Sequence, residues 1–209
     1  IAFTEMFLLG YQPQDLVLKP AVVAACAAAL DRLAADCADG PAIGIGLPHA
    51  QDGRLFNAWA ILSGGRVQTR VLKHHLPNKT VFDEVRLYSP GPVTGPVPIS
   101  GVRVGVPVCE DAWHPDVCET LMETGAQILI VPNGSPYYRN KQDVRVNLMV
   151  SRVVETGLPL AYVNMVGGQD DQVFDGASFV LNPGGALAVQ LPAFDETVAL
   201  VDFEETPDG

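Results

Sequence analysis

An apolar run over residues 102–108 ends at Cys109, and two acids, Glu110 and Asp111, follow at once. The run has the length and content of a buried strand. Just beyond it, His114-Pro115-Asp116 reads as the first turn of a helix, with proline where a missing N–H does no harm. Cys109 therefore stands where a strand stops and a helix is about to begin, at the rim of a sheet. A cysteine at such a point is either a small buried hydrophobe or a nucleophile.

The rest of the chain supplies the sheet. Its 209 residues are enough for one sizeable core. Residues 1–4 read as the end of a buried strand that runs into Glu5. Residues 20–37 are predicted to be a helix, opened by Pro20 and stopped by Gly40-Pro41. Residues 42–47, 57–62 and 66–72 read as strands, the last two joined through Ser63-Gly64-Gly65. A Pro- and Gly-rich loop spans 89–98. After the central strand come a helix over 114–124, a strand over 126–131, a helix over 142–156 and a strand over 158–163. A polar loop at 167–171, a hairpin of 177–181 with 187–191 and a last strand over 197–203 complete the reading. Helices alternating with strands, flanked by hairpins, predict an α/β fold with mixed sheets. No repeat, GxGxxG motif or phosphate loop is present, so a dinucleotide-binding module is unsupported.

A net charge of −11 argues against nucleic acid or an anionic membrane surface as partner. The most apolar helical stretch, 21–30, is far short of a membrane span. Cys26, Cys37, Cys109 and Cys118 form no CxxC pair and no metal spacing, which fits reduced thiols in a cytoplasmic protein. The chain opens on Ile1-Ala2-Phe3 with a strand already under way, so an upstream segment is expected, and the ending at Gly209 reads as a cut.

Three predicted strand ends carry reactive side chains: Glu5, Lys73 and Cys109. Each has an ordinary reading alone, as a loop acid, an exposed lysine and a packing residue. Together they form a set. A thiolate attacks an amide carbon, a carboxylate takes the thiol proton and passes it to the leaving amine, and an ammonium stabilises the oxyanion. Burial of Glu5 against Phe3, Met6 and Phe7 would favour its taking up that proton. No carboxylate or cysteine lies at ligand spacing beside the paired His74 and His75, so no metal is expected there.

Phe-Thr-Glu-Met-Phe-Leu-Leu-Gly-Tyr at 3–11, Lys-His-His-Leu-Pro at 73–77 and Cys-Glu-Asp-Ala-Trp at 109–113 resemble the three signatures of the nitrilase, or carbon–nitrogen hydrolase, superfamily. Val-Phe-Asp-Glu-Val-Arg at 81–86, Val-Pro-Asn-Gly-Ser-Pro at 131–136, Glu-Thr-Gly-Leu-Pro-Leu at 155–160, Val-Gly-Gly-Gln-Asp at 166–170 and Phe-Asp-Gly-Ala-Ser-Phe-Val at 174–180 narrow the likeness to the glutaminase domains of glutamine-dependent NAD+ synthetases. The resemblance implies an α-β-β-α sandwich whose protomers pair, with Glu5 as general base, Lys73 as transition-state stabiliser and Cys109 as nucleophile. It implies glutamine as substrate, a γ-glutamyl thioester, and ammonia passed to a synthetase domain. Ser135 and Lys141 match positions that bind glutamine in that family.

The chain departs from the pattern in three ways. Lys79 stands where the family has a tyrosine of the glutamine site. The first strand and helix of the sandwich lie outside the chain, upstream of Ile1. The ATP-dependent synthetase domain, to which ATP, magnesium and deamido-NAD+ would belong, is expected downstream of this chain; no cofactor is expected here. An amidase for another small amide, or a catalytically silent fragment, is the alternative. Glu84 is placed either holding Lys73 or contacting substrate, Tyr11 either lining the pocket or capping the core. Glu110 is read as structural and Trp113 as a packing wall.

Overall fold

The computed structural model describes residues 1–205. After a 3-10 turn at Gln14–Leu18, the elements in chain order are α1 (Pro20–Asp36), β1 (Ile43–Gln51), β2 (Arg54–Ser63), β3 (Arg66–Leu72), α2 (Glu84–Leu87), β4 (Val97–Ile99) and β5 (Val102–Gly105). A 3-10 turn at Cys109–Trp113 leads to α3 (Pro115–Glu123), β6 (Ile128–Asn133), α4 (Lys141–Thr156), β7 (Leu160–Asn164), β8 (Val166–Gln169), β9 (Gln172–Asp175), β10 (Phe179–Leu181) and β11 (Leu187–Gln190).

Period-two patterning turns these elements into layers. Ile43, Ile45, Leu47, Ala58, Ala60 and Leu62 face Leu30 and Ala34 of α1. The intervening Trp59 and Ile61, with Val71 of β3, face the other way, onto Val104, Val106, Val108 and Ile128. That contact is the seam between a three-stranded antiparallel sheet, β1-β2-β3, and a six-stranded sheet ordered β11-β10-β7-β6-β5-β4. In the larger sheet β5, β6 and β7 run parallel, and antiparallel strands flank them on both sides. Its outer face is covered by Val117, Cys118 and Leu121 of α3 and Met149 and Val153 of α4. The order helix, sheet, sheet, helices is the expected α-β-β-α sandwich.

Several boundaries differ from the sequence reading. The central strand stops at Gly105; Val106 to Val108 continue buried without ladder pairing. Residues 1–4 make only a parallel bridge, Ala2 beside Gly44, held by Phe3 N–H to Gly44 O at 2.8 Å. β1 and β2 form one long hairpin closed at Asp52-Gly53, so both run past the predicted ends. Residues 167–171 are not a plain loop but part of the β8–β9 hairpin. The last predicted strand, 197–203, does not form: Val198 and Leu200 are 94% and 96% exposed. Its alternation suits a strand, yet no sheet edge among the described residues offers it a ladder.

Candidate active site

The parallel strands aim their carboxyl ends at one side of the sandwich, where ligands of α/β sheets gather. Cys109 follows β5, Asn133 ends β6 with Gly134 and Ser135 just beyond, and Asn164 ends β7; Lys73 leaves β3 from the facing sheet. Glu5 reaches the same place because Gly46 lets its backbone lie against β1. A Cβ on Gly46 would come within 2.2 Å of the Met6 nitrogen.

Glu5 and Lys73 are fully buried and paired, Nζ to Oε1 at 2.7 Å. The other donors to Glu5 are the Asn57 amide, at 2.7 Å to Oε1, and the Gly134 N–H, at 2.9 Å to Oε2. Gly134 can bring its backbone this close only without a side chain, since a Cβ would sit 2.6 Å from the ring of Tyr11. Lys73 also pairs with Glu84 at 2.9 Å, and Glu84 accepts from Tyr11 Oη at 3.0 Å and Asn57 Nδ2 at 3.1 Å. Glu84 thus holds Lys73, and Tyr11, buried between Phe82 and Phe174, caps the core while bonding into the site.

Two carboxylates share one ammonium in a dry place, and their proton affinities show it. Burial alone would lower the Lys73 pKa; Glu5 and Glu84 more than reverse this and hold it well above the ordinary lysine value. Burial pushes Glu84 up to about 7 against the pull of Lys73. The folded protein therefore binds a proton at Glu84 that the unfolded chain has already released between the ordinary glutamate range and pH 7. The stability Glu84 contributes is full at low pH and is lost as pH rises through about 7. Glu84→Gln should flatten this slope: its urea midpoint should fall less between pH 5 and pH 8 than that of the parent. An unchanged slope would assign the proton elsewhere.

Cys109 is buried, and its φ of +48° costs a non-glycine residue about 1–3 kcal/mol. Burial, then the charge of Glu5, drives its pKa well above the ordinary thiol value, and Lys73 only partly offsets this. The group at rest is a neutral thiol close enough to both charges to feel them. Asp111 fixes its neighbourhood. Oδ1 accepts from the His74 and His75 N–H groups at 3.1 and 2.7 Å, and Oδ2 from Val108 N–H at 3.1 Å. One carboxylate, raised to about 6 chiefly by burial, thereby ties the segment bearing Lys73 to the segment bearing Cys109.

Around the thiol, Ser135 N–H donates to Asn164 Oδ1 at 2.9 Å, and Ser135 Oγ accepts from Arg145 Nε at 3.1 Å. Arg145 is itself fully buried and donates to both Asp175 oxygens, at 2.8 and 2.9 Å. Lys141 Nζ lies 4.3 Å from the Trp113 ring and 4.7 Å from Tyr138; burial first, and then the nearby Arg145, hold its pKa below the ordinary lysine value. Lys79 lies over Trp113 at 5.6 Å and pairs with Glu110 at 2.8 Å. Trp113 is thus more than a wall: its faces carry two ammonium groups. Asn57, Gly134, Arg145, Asp111 and Asn164 were not legible as site residues. The available signals are the single polar residue inside the apolar stretch 55–62 of β2 and an arginine among the buried positions of α4.

An acid, an amine and a thiol gathered at one end of two facing sheets mark a carbon–nitrogen hydrolase of the nitrilase type. The chain belongs to the carbon–nitrogen hydrolase family, whose pattern matches residues 1–206. Among its relatives is the glutamine-dependent NAD(+) synthetase of Rhodobacter capsulatus, 60% identical over 204 residues, which span 98% of this chain and 37% of the relative. The structure of glutamine-dependent NAD+ synthetase from Acinetobacter baumannii, with ADP, superposes with a TM-score of 0.88 at 33% identity over 94% of this chain and 37% of that one. A mutant amidase from Nesterenkonia sp. AN1, with acrylamide added at its active-site cysteine, superposes at 0.78 and 26% identity, covering 91% and 74%. The chain spans little more than a third of the length of the synthetases it matches.

Proposed function

We propose that this chain hydrolyses the side-chain amide of L-glutamine through a thioester on Cys109, and that the ammonia serves ATP-dependent amidation of deamido-NAD+ to NAD+ on a synthetase domain, in the cytoplasm. The observation that carries the reading is the buried 2.7 Å Glu5–Lys73 pair beside a thiol that is neutral at rest. Such a thiol needs a base, and Glu5 is an acceptor within its field. Glu5 takes the proton as sulfur attacks the amide carbon, and the Lys73 ammonium stabilises the oxyanion. Glu5 then returns the proton to the departing nitrogen, releasing ammonia and leaving the acyl group on sulfur. Water, deprotonated by the same carboxylate, attacks the thioester; glutamate leaves and the thiol is restored. Asn57 and Gly134 keep Glu5 aimed through both halves. Lys141, Lys79 and Glu110 supply charges suited to the α-carboxylate and α-ammonium ends of an amino acid, and Ser135 a hydroxyl. The names of the synthetase relatives point to glutamine, and the adduct on the amidase cysteine supports a thiol nucleophile.

Ammonia release from a panel of glutamine, asparagine and simple acyl amides tests this. Glutamine should exceed the others in kcat/KM by at least tenfold; preference for a simple amide would make the chain an amidase of another kind. Lys79→Ala should raise KM for glutamine by no more than about fivefold, with kcat little changed, because the Lys79 side chain is 59% exposed and water screens it. A fall in kcat with unchanged KM would contradict a binding role.

A further inference from the structure

Outside the catalytic cluster, a second group of ligating side chains meets at the end of β3. Three imidazoles stand in a row there: the rings of His74 and His75 are 4.7 Å apart, and those of His75 and His114 4.1 Å. Asp116, from the first turn of α3, places both carboxylate oxygens at the Nε2 of His75, at 2.9 and 3.0 Å. One ligand atom each from His74, His75 and Asp116 lies within 4.8 Å of the other two. The carboxylate that the local sequence lacks is thus supplied from 41 residues away.

The second observation is how His74 is held. Its Nδ1 lies 2.7 Å from the Gly91 carbonyl oxygen. A carbonyl only accepts, so Nδ1 carries the hydrogen and Nε2 keeps its lone pair. A backbone carbonyl on the far ring nitrogen is the orientation that metal-bound histidines adopt. The backbone of His75 is fixed too, through its N–H to Asp111. The side chains of His75 and Asp116 remain 25% and 55% accessible, so an ion can reach them.

We propose that His74, His75 and Asp116 form a binding site for a borderline divalent transition ion of the zinc class. Two imidazole nitrogens and one carboxylate oxygen are a three-ligand set for such an ion, with water in the fourth position. His75 and Asp116 are now joined by a hydrogen bond. On binding, the His75 hydrogen shifts to Nδ1 and the ion takes its place between Nε2 and the carboxylate. The bonded ion would tie the segment after β3 to the start of α3, with His74 next to Lys73 on one side and Asp116 seven residues from Cys109 on the other. It lies outside the catalytic pocket and takes no part in the hydrolysis.

Calorimetric titration with Zn2+ of metal-free protein tests this, alongside Cys109→Ala, His74→Ala, His75→Ala and Asp116→Asn. One equivalent should bind to the parent and equally to Cys109→Ala, and at least tenfold more weakly to each of the other three. Co2+ in the same protein should give d–d absorption without a sulfur-to-cobalt charge-transfer band. Binding lost in Cys109→Ala but kept in His75→Ala and Asp116→Asn would place the ion on the catalytic thiol and overturn the proposal. So would the absence of stoichiometric binding to the parent. Should His75→Ala fold poorly, the exposed Asp116→Asn decides the outcome.

Discussion

Lys73→Met is expected to cost about 3–5 kcal/mol of folding stability, the scale on which a buried ion pair punishes the loss of one partner. The loss is large because Lys73 answers two carboxylates, Glu5 at 2.7 Å and Glu84 at 2.9 Å, both shut away from water. Methionine fills much the same space, so the deficit is electrostatic and not a cavity. That gives it a pH signature. With the ammonium gone, the carboxylates recover by binding protons, so the folded state takes up more protons than the unfolded one. The variant should therefore lose stability as pH rises from 5 to 8, more steeply than the parent. Where it does fold, amide hydrolysis should fall by a further hundred- to thousandfold, the order lost with one oxyanion donor. Urea midpoints at pH 5 and 8 check the first effect and ammonia release the second. A variant as stable as the parent at pH 8 would mean that the two acids do not depend on Lys73.

Cys109→Ala is expected to abolish turnover with little change in stability. The covalent route needs an atom that can carry the acyl group, and no other thiol is placed to replace it: Cys26 is on the buried face of α1, Cys37 caps the end of that helix, and Cys118 is on the buried face of α3. Loss of a nucleophile from a concerted set removes about a millionfold in kcat. Alanine keeps the neighbouring ladder of Asp111 bonds, which are made to backbone N–H groups and not to the thiol. Its melting point should thus stay within a few degrees of the parent while ammonia release drops to background. Residual turnover above about a thousandth of the parent would move the chemistry to another group.

What the chain reveals in advance follows from where its information is local. The buried strand leading to Cys109, the helix opened by Pro115 and the strand character of residues 57–62 depend on neighbours in sequence, and these are legible. The β1–β2 hairpin carries an Asp-Gly signal at 52–53, but the glycines and proline of β1 weaken the strand pattern that leads into it. The β8–β9 hairpin was hidden by Gly167 and Gly168, poor strand formers held in place only by pairing. Residues 197–203 failed in the opposite sense, with good strand propensity and no partner. At the site, the motifs single out Glu5, Lys73 and Cys109 as candidates, but not the bonds that position them. Asn57 is a single polar residue in a strand, and only the fold shows it bridging Glu5 and Glu84. Asp111 reads as one of two acids after a cysteine, and only the fold shows it clamping the segment after β3.

Labelling with a glutamine-mimicking diazo-ketone, followed by mass measurement and peptide sequencing, tests the central claim most directly. One adduct per chain, on Cys109, blocked by excess glutamine and rising in step with the loss of ammonia release, is the predicted result. An unlabelled Cys109 in protein that still hydrolyses glutamine, or inactivation by label on Cys26, Cys37 or Cys118, would contradict it.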